Sequence, residues 1–329
     1  MTLRLEDSWL WDFWLARDGP DYHIFFLQAP RSLGREELRH WHATIGQAVS
    51  QDLRTWQVLP MDLQPSLENP QAWDSYTTWT GSVIQHGGLW YLFYSGGSQR
   101  ENGLVQRIGL ATSTDLLHWE KHPENPLITA NPAWYELLDL KLWHDQAWRD
   151  PWVFQDPLDG SFRAFITARV NHGPADGRGV IAQARSEDLV HWTVLPPITT
   201  PGDYGHMEVP QLVNIAGRYY LIFSTSRQRY SKAHLESLQA SPLNGTFYRV
   251  SDEPLGSFIS ATESPLLADQ TGSTYSGKLM QAPGGGWVYL CVRHFNPQGD
   301  FIGEISDPME VDLSLDGTLK VVPANALTI

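Results

Sequence analysis

Short runs of aromatic and aliphatic residues recur along this chain, and turn-forming residues separate them. Runs of this kind, rich in Tyr, Trp, Phe, Leu and Ile, are typical of buried β-strands. Their starts are 68, 72, 57 and 68 residues apart, so the spacing is nearly even. The five runs are Tyr22–Phe26, Trp90–Tyr94, Phe162–Ile166, Tyr219–Phe223 and Trp287–Cys291. The pattern predicts five copies of one structural unit.

Three of the units also contain the element Ser-x-Asp-Leu-x-x-Trp, with identical internal spacing. An Asp in a turn can accept backbone N–H bonds, and the Trp can pack between units, so we interpret this element as structural. Its carboxylates are Asp52, Asp115 and Asp188. A unit of this length is too long for most helical repeats but fits a four-stranded propeller blade. The predicted fold is all-β, a five-bladed β-propeller that forms a single domain over residues 1–329.

Few segments have a helical pattern. We expect a short helix within Ala133–Leu142 and a helical turn within Arg31–Arg39. The single cysteine, Cys291, lies in an apolar run, so it is expected to be a buried strand residue. No Pro-, Gly- or Ser-rich linker divides the chain.

Charge and composition narrow the classes of partner. The formal net charge of −14 repels nucleic acid and anionic lipid, so we expect neither nucleic acid nor membrane as a partner. A small-molecule carbohydrate is compatible with this charge, and the 39 aromatic residues offer faces that stack on sugar rings. The N-terminal sequence lacks a basic region followed by an apolar stretch, which predicts a cytoplasmic location. The oligomeric state stays open.

Carboxylates stand where the innermost strand of a blade is expected. The first strand of each blade lines the propeller channel, and it should precede each aromatic run by about ten residues. Counting back finds Asp12, Asp150 and Glu208 before the first, third and fourth runs. The other two runs follow Trp79–Ser82 and Ser276. Three carboxylates in one repeat phase predict a shared site on the axis.

Converging carboxylates suit glycoside hydrolysis. Like charges raise the pKa of at least one carboxyl group, as a general acid requires, and Arg149 beside Asp150 can offset part of the repulsion. Glycosidases place two carboxyl groups across the scissile bond, closer together in retaining than in inverting enzymes. A third carboxylate can bind sugar hydroxyls near the transition state.

Short motifs surround these residues, and their order and spacing are specific. They are Trp11–Trp14, Tyr22–Pro30, Trp79–Ser82, Arg149–Pro151 and Glu208–Pro210. Together they resemble the fructan- and sucrose-processing glycoside hydrolases of families 32 and 68. The first is similar to the Trp-Asp-x-Trp of family 68, and the second to the Tyr-His-Leu-Phe-Tyr-Gln-x-x-Pro of family 32. The third resembles a Trp-Ser-Gly-Ser element that contacts the fructosyl unit.

The resemblance implies an enzyme that hydrolyses or transfers β-fructofuranosyl units of sucrose or fructo-oligosaccharides. It implies a covalent fructosyl-enzyme intermediate and no metal or other cofactor. Asp12 would be the nucleophile, Asp150 the transition-state stabiliser and Glu208 the acid/base. The residues that would form the donor subsite are Trp11, Trp14, Gln28, Trp79, Ser82 and Arg149.

Two other functions stay open on the residues alone. An inverting arabinofuranosidase or xylosidase of the family 43 type also uses a five-bladed propeller with two Asp and one Glu, and Asp12 would then be a general base. Arg149 favours the fructosidase, because the family 43 equivalent typically lacks it. A non-catalytic sugar-binding propeller would have no reason to keep three inner carboxylates.

Further polar residues have more than one interpretation. The histidines His40, His42, His144 and His172 lack the spacing of a metal-binding motif, although a cation near Asp145 is an alternative. The loop Ala168–Arg178 could supply acceptor contacts through Arg169, Asn171 or Asp176, or it could be a solvated turn.

Overall fold

The computed structural model describes residues 2–259 and 265–322, and nearly all of its regular structure is strand. The strands form five antiparallel sheets in chain order, which we call blades 1 to 5. Blade 1 contains β1 (Ser8–Asp18), β2 (Asp21–Pro30), β3 (Thr44–Ser50) and β4 (Gln57–Leu59). Blade 2 contains β5 (Thr77–His86), β6 (Leu89–Gly97), β7 (Gln106–Ser113) and β8 (Glu120–Lys121). Blade 3 contains β9 (Trp148–Gln155), β10 (Phe162–Arg169), β11 (Gly179–Ser186) and β12 (Trp192–Leu195).

The last two blades repeat this plan with one addition. Blade 4 contains β13 (Glu208–Ile215), β14 (Arg218–Thr225), β15 (Asn244–Ser251) and β16 (Leu267–Asp269). Blade 5 contains β17 (Thr274–Gln281), β18 (Trp287–Phe295), β19 (Phe301–Ile305), β20 (Met309–Leu313) and β21 (Leu319–Val322). The extra strand, β19, pairs with β18 outside the main order β17-β18-β20-β21.

The five sheets close into a ring around their first strands. The strand β1 contacts β5, β5 contacts β9, β9 contacts β13, β13 contacts β17, and β17 returns to β1. The N-terminal segment helps to close the ring, because Leu3 pairs with Ile305 of blade 5 through two backbone hydrogen bonds of 3.0 Å. The predicted five-bladed β-propeller is confirmed.

All five aromatic runs occupy the second strand of a blade, as their spacing predicts. These strands carry the core, because their side chains pack between neighbouring blades in clusters of fully buried residues. Cys291 is buried in β18, in agreement with its apolar surroundings.

The Ser-x-Asp-Leu-x-x-Trp elements are turns between the third and fourth strands of blades 1 to 3. In each, the Asp accepts two backbone N–H bonds; Asp115, for example, binds the N–H groups of Leu117 and His118 at 2.8 Å. The Trp of one blade packs on its neighbour, as Trp192 does edge-on against Phe93 at 5.4 Å. The structural interpretation of these carboxylates is confirmed.

The helix predictions were partly wrong. Arg31–Leu33 and Glu36–His42 form short 3-10 helices, as expected, but Ala133–Leu142 contains no helix. Among the described residues the α-helix is α1 (Lys232–Ser237), which Ser231 caps by accepting a hydrogen bond from the N–H of His234. Within the same residues, no helix is long and apolar enough to cross a membrane.

Candidate active site

Each innermost strand contains one extra residue relative to its partner, and the site is built at these bulges. The pairing shifts by one residue after Trp11, Trp79, Arg149, Glu208 and Tyr275. The next residue has a positive φ in four blades, at Asp12 (28°), Asp150 (58°), Val209 (48°) and Ser276 (52°). The same irregularity thus recurs at one level around the axis.

The bulge explains how two consecutive side chains can face the axis. Successive side chains of a regular strand point to opposite faces, whereas an inserted residue with positive φ redirects its own side chain. Asp adopts such φ values more readily than most residues. Trp11 and Asp12 therefore both line the central cavity, as do Arg149 and Asp150.

This geometry corrects the predicted repeat phase of Glu208. Asp12 and Asp150 are the inserted residues of their strands, but Glu208 is the residue before the insertion. Its structural equivalents are therefore Trp11 and Arg149. The three carboxylates still reach one cavity of about 680 Å³, although from two adjacent levels.

Arg149 joins the carboxylates of the cavity. Its guanidinium group donates to Glu208 Oε1 at 2.7 Å and to Asp145 Oδ2 at 3.0 Å, and its Nε lies 3.8 Å from Asp150 Oδ2. A fourth contact, at 3.2 Å, goes to Gln106 Oε1. Because Arg149 is buried, these ion pairs are weakly screened by solvent, and they fix both the charge and the position of Glu208.

Asp12 has a strongly perturbed carboxyl group. Burial raises its pKa to about 7, and the charge of Asp150 adds to the shift, whereas a hydrogen bond from Ser276 Oγ opposes it. Burial also raises the pKa of Asp150, and the charge of Arg149 offsets part of that rise. Asp150 is held by Thr167 Oγ1 at 2.9 Å and by the N–H of Val209 at 3.2 Å.

Glu208 is shifted in the opposite direction. Burial alone would raise its pKa, but a hydrogen bond from His206, the charge of Arg149 and a hydrogen bond from Tyr275 hold the pKa well below its usual value. The Tyr275 hydroxyl donates to Glu208 Oε2 at 2.6 Å, and burial keeps the pKa of Tyr275 well above its usual value. Asp12 therefore takes up a proton much more readily than Glu208.

The structure brings only some of the predicted donor-subsite residues to the cavity. Trp11, Trp79 and Arg149 line it, and Trp79 is fixed by a bond from its Nε1 to the carbonyl of His40 at 2.8 Å. Trp14 does not, because it lies in the core and stacks on Phe25.

The other two predicted subsite residues also lie away from the cavity lining. Gln28 pairs with Leu10 in the sheet, and its side chain packs over Gly46, where no Cβ stands in the way. Ser82 is buried and accepts a hydrogen bond from the N–H of Val153, which joins blade 2 to blade 3. Both are supporting residues of the propeller.

The three candidate acceptor residues of the loop after β10 do not line the cavity. Arg169 is fully buried and binds Glu136 at 2.8 Å and the carbonyls of Ala175 and Gly205 at 2.7 Å. Asn171 and Asp176 also make contacts within the fold, and none of the three lines the cavity.

Several residues in or beside the cavity were missed by the sequence analysis. Lys278 lies buried beside the bulge of blade 4, where its Nζ donates to the carbonyl of Val209 at 2.6 Å. Burial lowers its pKa to about 8, while the nearby charges of Asp150 and Asp12 oppose that shift. The missed residues that line the cavity itself include Arg39, His206, Tyr275 and His294. Tyr275 could have been found, since it shares the repeat phase of Trp11 and Arg149.

One cluster among the described residues has the composition of a metal site. The ligand atoms of His144, Asp145 and His206 lie within 4.8 Å of one another. However, Arg149 already places its positive charge 3.0 Å from Asp145 and 3.3 Å from His206. The other ring nitrogen of His206 accepts a hydrogen bond from Trp143 at 2.9 Å. A cation here would be repelled by Arg149 and would have to displace the hydrogen bond at His206 Nε2, although Asp145 Oδ1 has no hydrogen-bond partner among the described residues. We therefore derive no metal-dependent step.

The sequence identifies the family to which this propeller belongs. Residues 15–287, well over half of the chain, match the family described as "Glycosyl hydrolases family 32 N-terminal domain". The chain belongs to glycosyl hydrolase family 32. The match includes Asp150 and Glu208 but begins after Asp12, so the interpretation of Asp12 depends on the geometry of the cavity.

Individual proteins are similar to this chain in sequence or in fold. The extracellular sucrase of Zymomonas mobilis is 26% identical over 362 residues, covering 95% of this chain and 81% of that protein. The solved inulosucrase from Halalkalicoccus jeotgali, bound to kestose, has a TM-score of 0.71 at 19% identity and covers 96% of this chain and 87% of its own. A thermostable family-43 glycoside hydrolase has a TM-score of 0.65 at 17% identity, covering 97% and 94%. Both structural similarities show the fold alone.

Proposed function

We propose that this family 32 protein cleaves or transfers the β-fructofuranosyl unit of sucrose or short fructo-oligosaccharides with retention of configuration. The observation that carries the proposal is the convergence of Asp12, Asp150 and Glu208 from three innermost strands onto one cavity, with Arg149 bound to Glu208. The sequence similarity to a sucrase supports the choice of substrate.

The proposed reaction has two steps. Asp12 attacks the anomeric carbon while Glu208 donates a proton to the departing glycosidic oxygen, which leaves a fructosyl ester on Asp12. Glu208 then removes a proton from water or from a sugar hydroxyl, whose oxygen attacks the anomeric carbon, breaks its bond to Asp12 and releases the free carboxylate. Asp150, held by Thr167 and Val209, accepts hydrogen bonds from sugar hydroxyls and stabilises positive charge on the ring.

The protonation states of Asp12 and Glu208 before substrate binds set a condition on this reaction. When Asp12 and Glu208 hold one proton between them, Asp12 is protonated and Glu208 is ionised, because their pKa values are shifted in opposite directions. The reaction requires the reverse distribution, so bound substrate must favour transfer of that proton to Glu208. Two coupled carboxyl groups titrate as a pair, and a bell-shaped pH profile reports the pair.

The substrate and stereochemistry are tested together. Purified protein is incubated with sucrose, 1-kestose, nitrophenyl arabinofuranoside and nitrophenyl xyloside, and the products are followed by NMR from the first minutes. The proposal expects β-fructofuranose, or a longer fructoside, from the first two substrates. Activity confined to the pentosides with inverted products would refute it and would favour the family 43 alternative.

Two finer properties accompany the proposal. Hydrolysis and transfer differ in whether water or a sugar hydroxyl attacks the intermediate, so the ratio of free fructose to fructosylated product at rising sucrose concentration measures the balance. The cytoplasmic location stays a prediction, and one relative is named an extracellular sucrase. Fractionation of cells that produce the protein tests the location.

A further inference from the structure

Two residues outside the predicted site, Trp143 and His206, adjoin the proposed acid/base. The Nε1–H group of Trp143 donates to His206 Nε2 at 2.9 Å. The other ring nitrogen, Nδ1, lies 3.5 Å from Glu208 Oε1 and 3.3 Å from Arg149 Nη2. His206 is buried, and its backbone carbonyl accepts a hydrogen bond from Thr225 Oγ1 at 2.9 Å, so its backbone is anchored as well as its ring.

These contacts determine where the proton of the imidazole lies. An indole N–H can only donate, so His206 Nε2 must offer a lone pair and cannot be protonated. The proton of the neutral ring is then on Nδ1, which lies 3.5 Å from the carboxylate oxygen Oε1 of Glu208. Burial and the charge of Arg149 lower the pKa of His206 to about 4, which agrees with a neutral ring.

We infer that Trp143 and His206 are positioning residues that decide which oxygen of Glu208 carries the transferable proton. This inference rests on the proposed function. Glu208 Oε1 faces two donors, Arg149 Nη2 at 2.7 Å and His206 Nδ1–H at 3.5 Å. A proton on Oε1 would therefore point at other donor hydrogens, which is unfavourable. Oε2 faces the hydroxyl of Tyr275, which can rotate and accept instead. The proton that reaches the leaving group therefore resides on Oε2.

The indole of Trp143 is fixed by residues that do not contact the three proposed catalytic carboxylates. Arg169 stacks on Trp143 with its guanidinium carbon 3.6 Å from the ring centroid, and Arg169 is anchored by Glu136 and two carbonyls. Arg229 also lies over the ring, at 5.1 Å. Gly205 leaves room for the indole, since a Cβ there would come within 2.6 Å of a ring carbon. The N–H group of Trp143 is thus aimed before substrate binds.

The test separates loss of this N–H from loss of the ring. In Trp143→Phe an aromatic face is kept over Arg169, while the N–H donor is lost together with part of the ring. His206 is then free to protonate Nε2, so its Nδ1 no longer donates to Glu208. We expect turnover of sucrose to fall by roughly ten-fold, less than the about 10²–10⁴-fold that general acid catalysis contributes. An aryl β-fructofuranoside, whose leaving group needs little protonation, should lose less than about two-fold.

A double-mutant cycle and a direct spectroscopic readout complete the test. His206→Leu removes the imidazole between Trp143 and Glu208, so adding Trp143→Phe should cause no further loss of rate. If the two residues had independent structural roles, the two rate losses would multiply. Nitrogen-15 NMR of the histidine side chains should show His206 protonated on Nδ1 in the wild type and shifted toward Nε2 in Trp143→Phe; the His206→Leu spectrum assigns the signal. The control Trp192→Phe, which loses an indole bond of 3.1 Å to a carbonyl outside the cavity, should match the wild type in the assays and spectra.

Each outcome has a distinct meaning. An unchanged tautomer in Trp143→Phe, equal losses on both substrates, or multiplying effects in the double variant would overturn the inference. If wild-type protein released no fructose from any fructoside, the proposed function would fail, and the inference about catalysis would fail with it. The NMR tautomer would still report separately whether Trp143 fixes the imidazole.

Discussion

Replacing Arg149 by Met tests whether this guanidinium neutralises a buried carboxylate cluster. The side chain pairs with Glu208 at 2.7 Å and with Asp145 at 3.0 Å, and Asp150 lies 3.8 Å away. Removing one partner of a buried ion pair costs about 3–5 kcal/mol, because the remaining charge is left buried and unpaired. Two pairs share this arginine, so we expect the upper part of that range at pH 7.

The pH dependence of this cost follows from the pKa shifts. In the wild type, the pKa values of Glu208 and Asp145 are lowered, so their pairing stabilises the fold above the unfolded pKa and is lost as pH falls through the folded one. In Arg149→Met, we expect both pKa values to rise, because burial then acts without the opposing charge of Arg149. The variant then gains stability relative to the wild type on acidification, and its deficit should be smaller at pH 5 than at pH 7.

Urea unfolding followed by tryptophan fluorescence measures this difference, provided that the denaturant slope is unchanged. The control is Arg185→Met, because Arg185 pairs with Glu187 at 2.7 Å and with Asp159 at 3.3 Å but its side chain is 38% exposed. A pair at the surface contributes less than about 1 kcal/mol, so this loss should be small and similar at both pH values. If Arg149→Met resembles the control in size and in pH dependence, the reasoning about the cluster is wrong.

Three further predictions concern catalysis. Glu208→Gln should slow sucrose turnover by about 10²–10⁴-fold and slow the fructosylation step with an aryl β-fructofuranoside much less; equal losses in initial rates would argue against an acid role. Asp150→Asn removes a charge that helps burial to raise the pKa of Asp12 to about 7, so the acidic limb of kcat/KM should move to lower pH. Lys278→Met removes a buried cation that interacts with Asp12, so the same limb should move to higher pH. If the acidic limb of kcat/KM stays at the same pH in both variants, Asp12 does not control it.

The repeats explain why so much of the fold was predictable from the sequence. A blade needs an apolar second strand to pack against its neighbours, so Tyr22–Phe26 and its four counterparts mark every blade. Counting back from these strands reaches the axis, where Asp12 and Asp150 stand. The bulges were not predictable in this way, because an inserted residue is a difference in length between two paired strands.

The errors at the site have the same origin. Sequence motifs do not say which face of a strand a side chain occupies, and Trp14, two residues beyond the inserted Asp12, belongs to the core. Trp143 and His206 precede the innermost strands of blades 3 and 4 in long connections, outside the strand repeats. The two residues come from connections that precede different blades, so neither local sequence predicts that they are in contact.

The central claim is that Asp12 forms the covalent bond to the sugar. An aryl β-fructofuranoside should label Glu208→Gln quickly, since its departure needs little acid, while the missing base leaves the ester to accumulate. After acid quenching and digestion, mass spectrometry should find one hexosyl unit on the peptide that contains Asp12, and Asp12→Asn should carry none. A hexosyl group on Asp150, or no adduct together with a product of inverted configuration, would contradict the account.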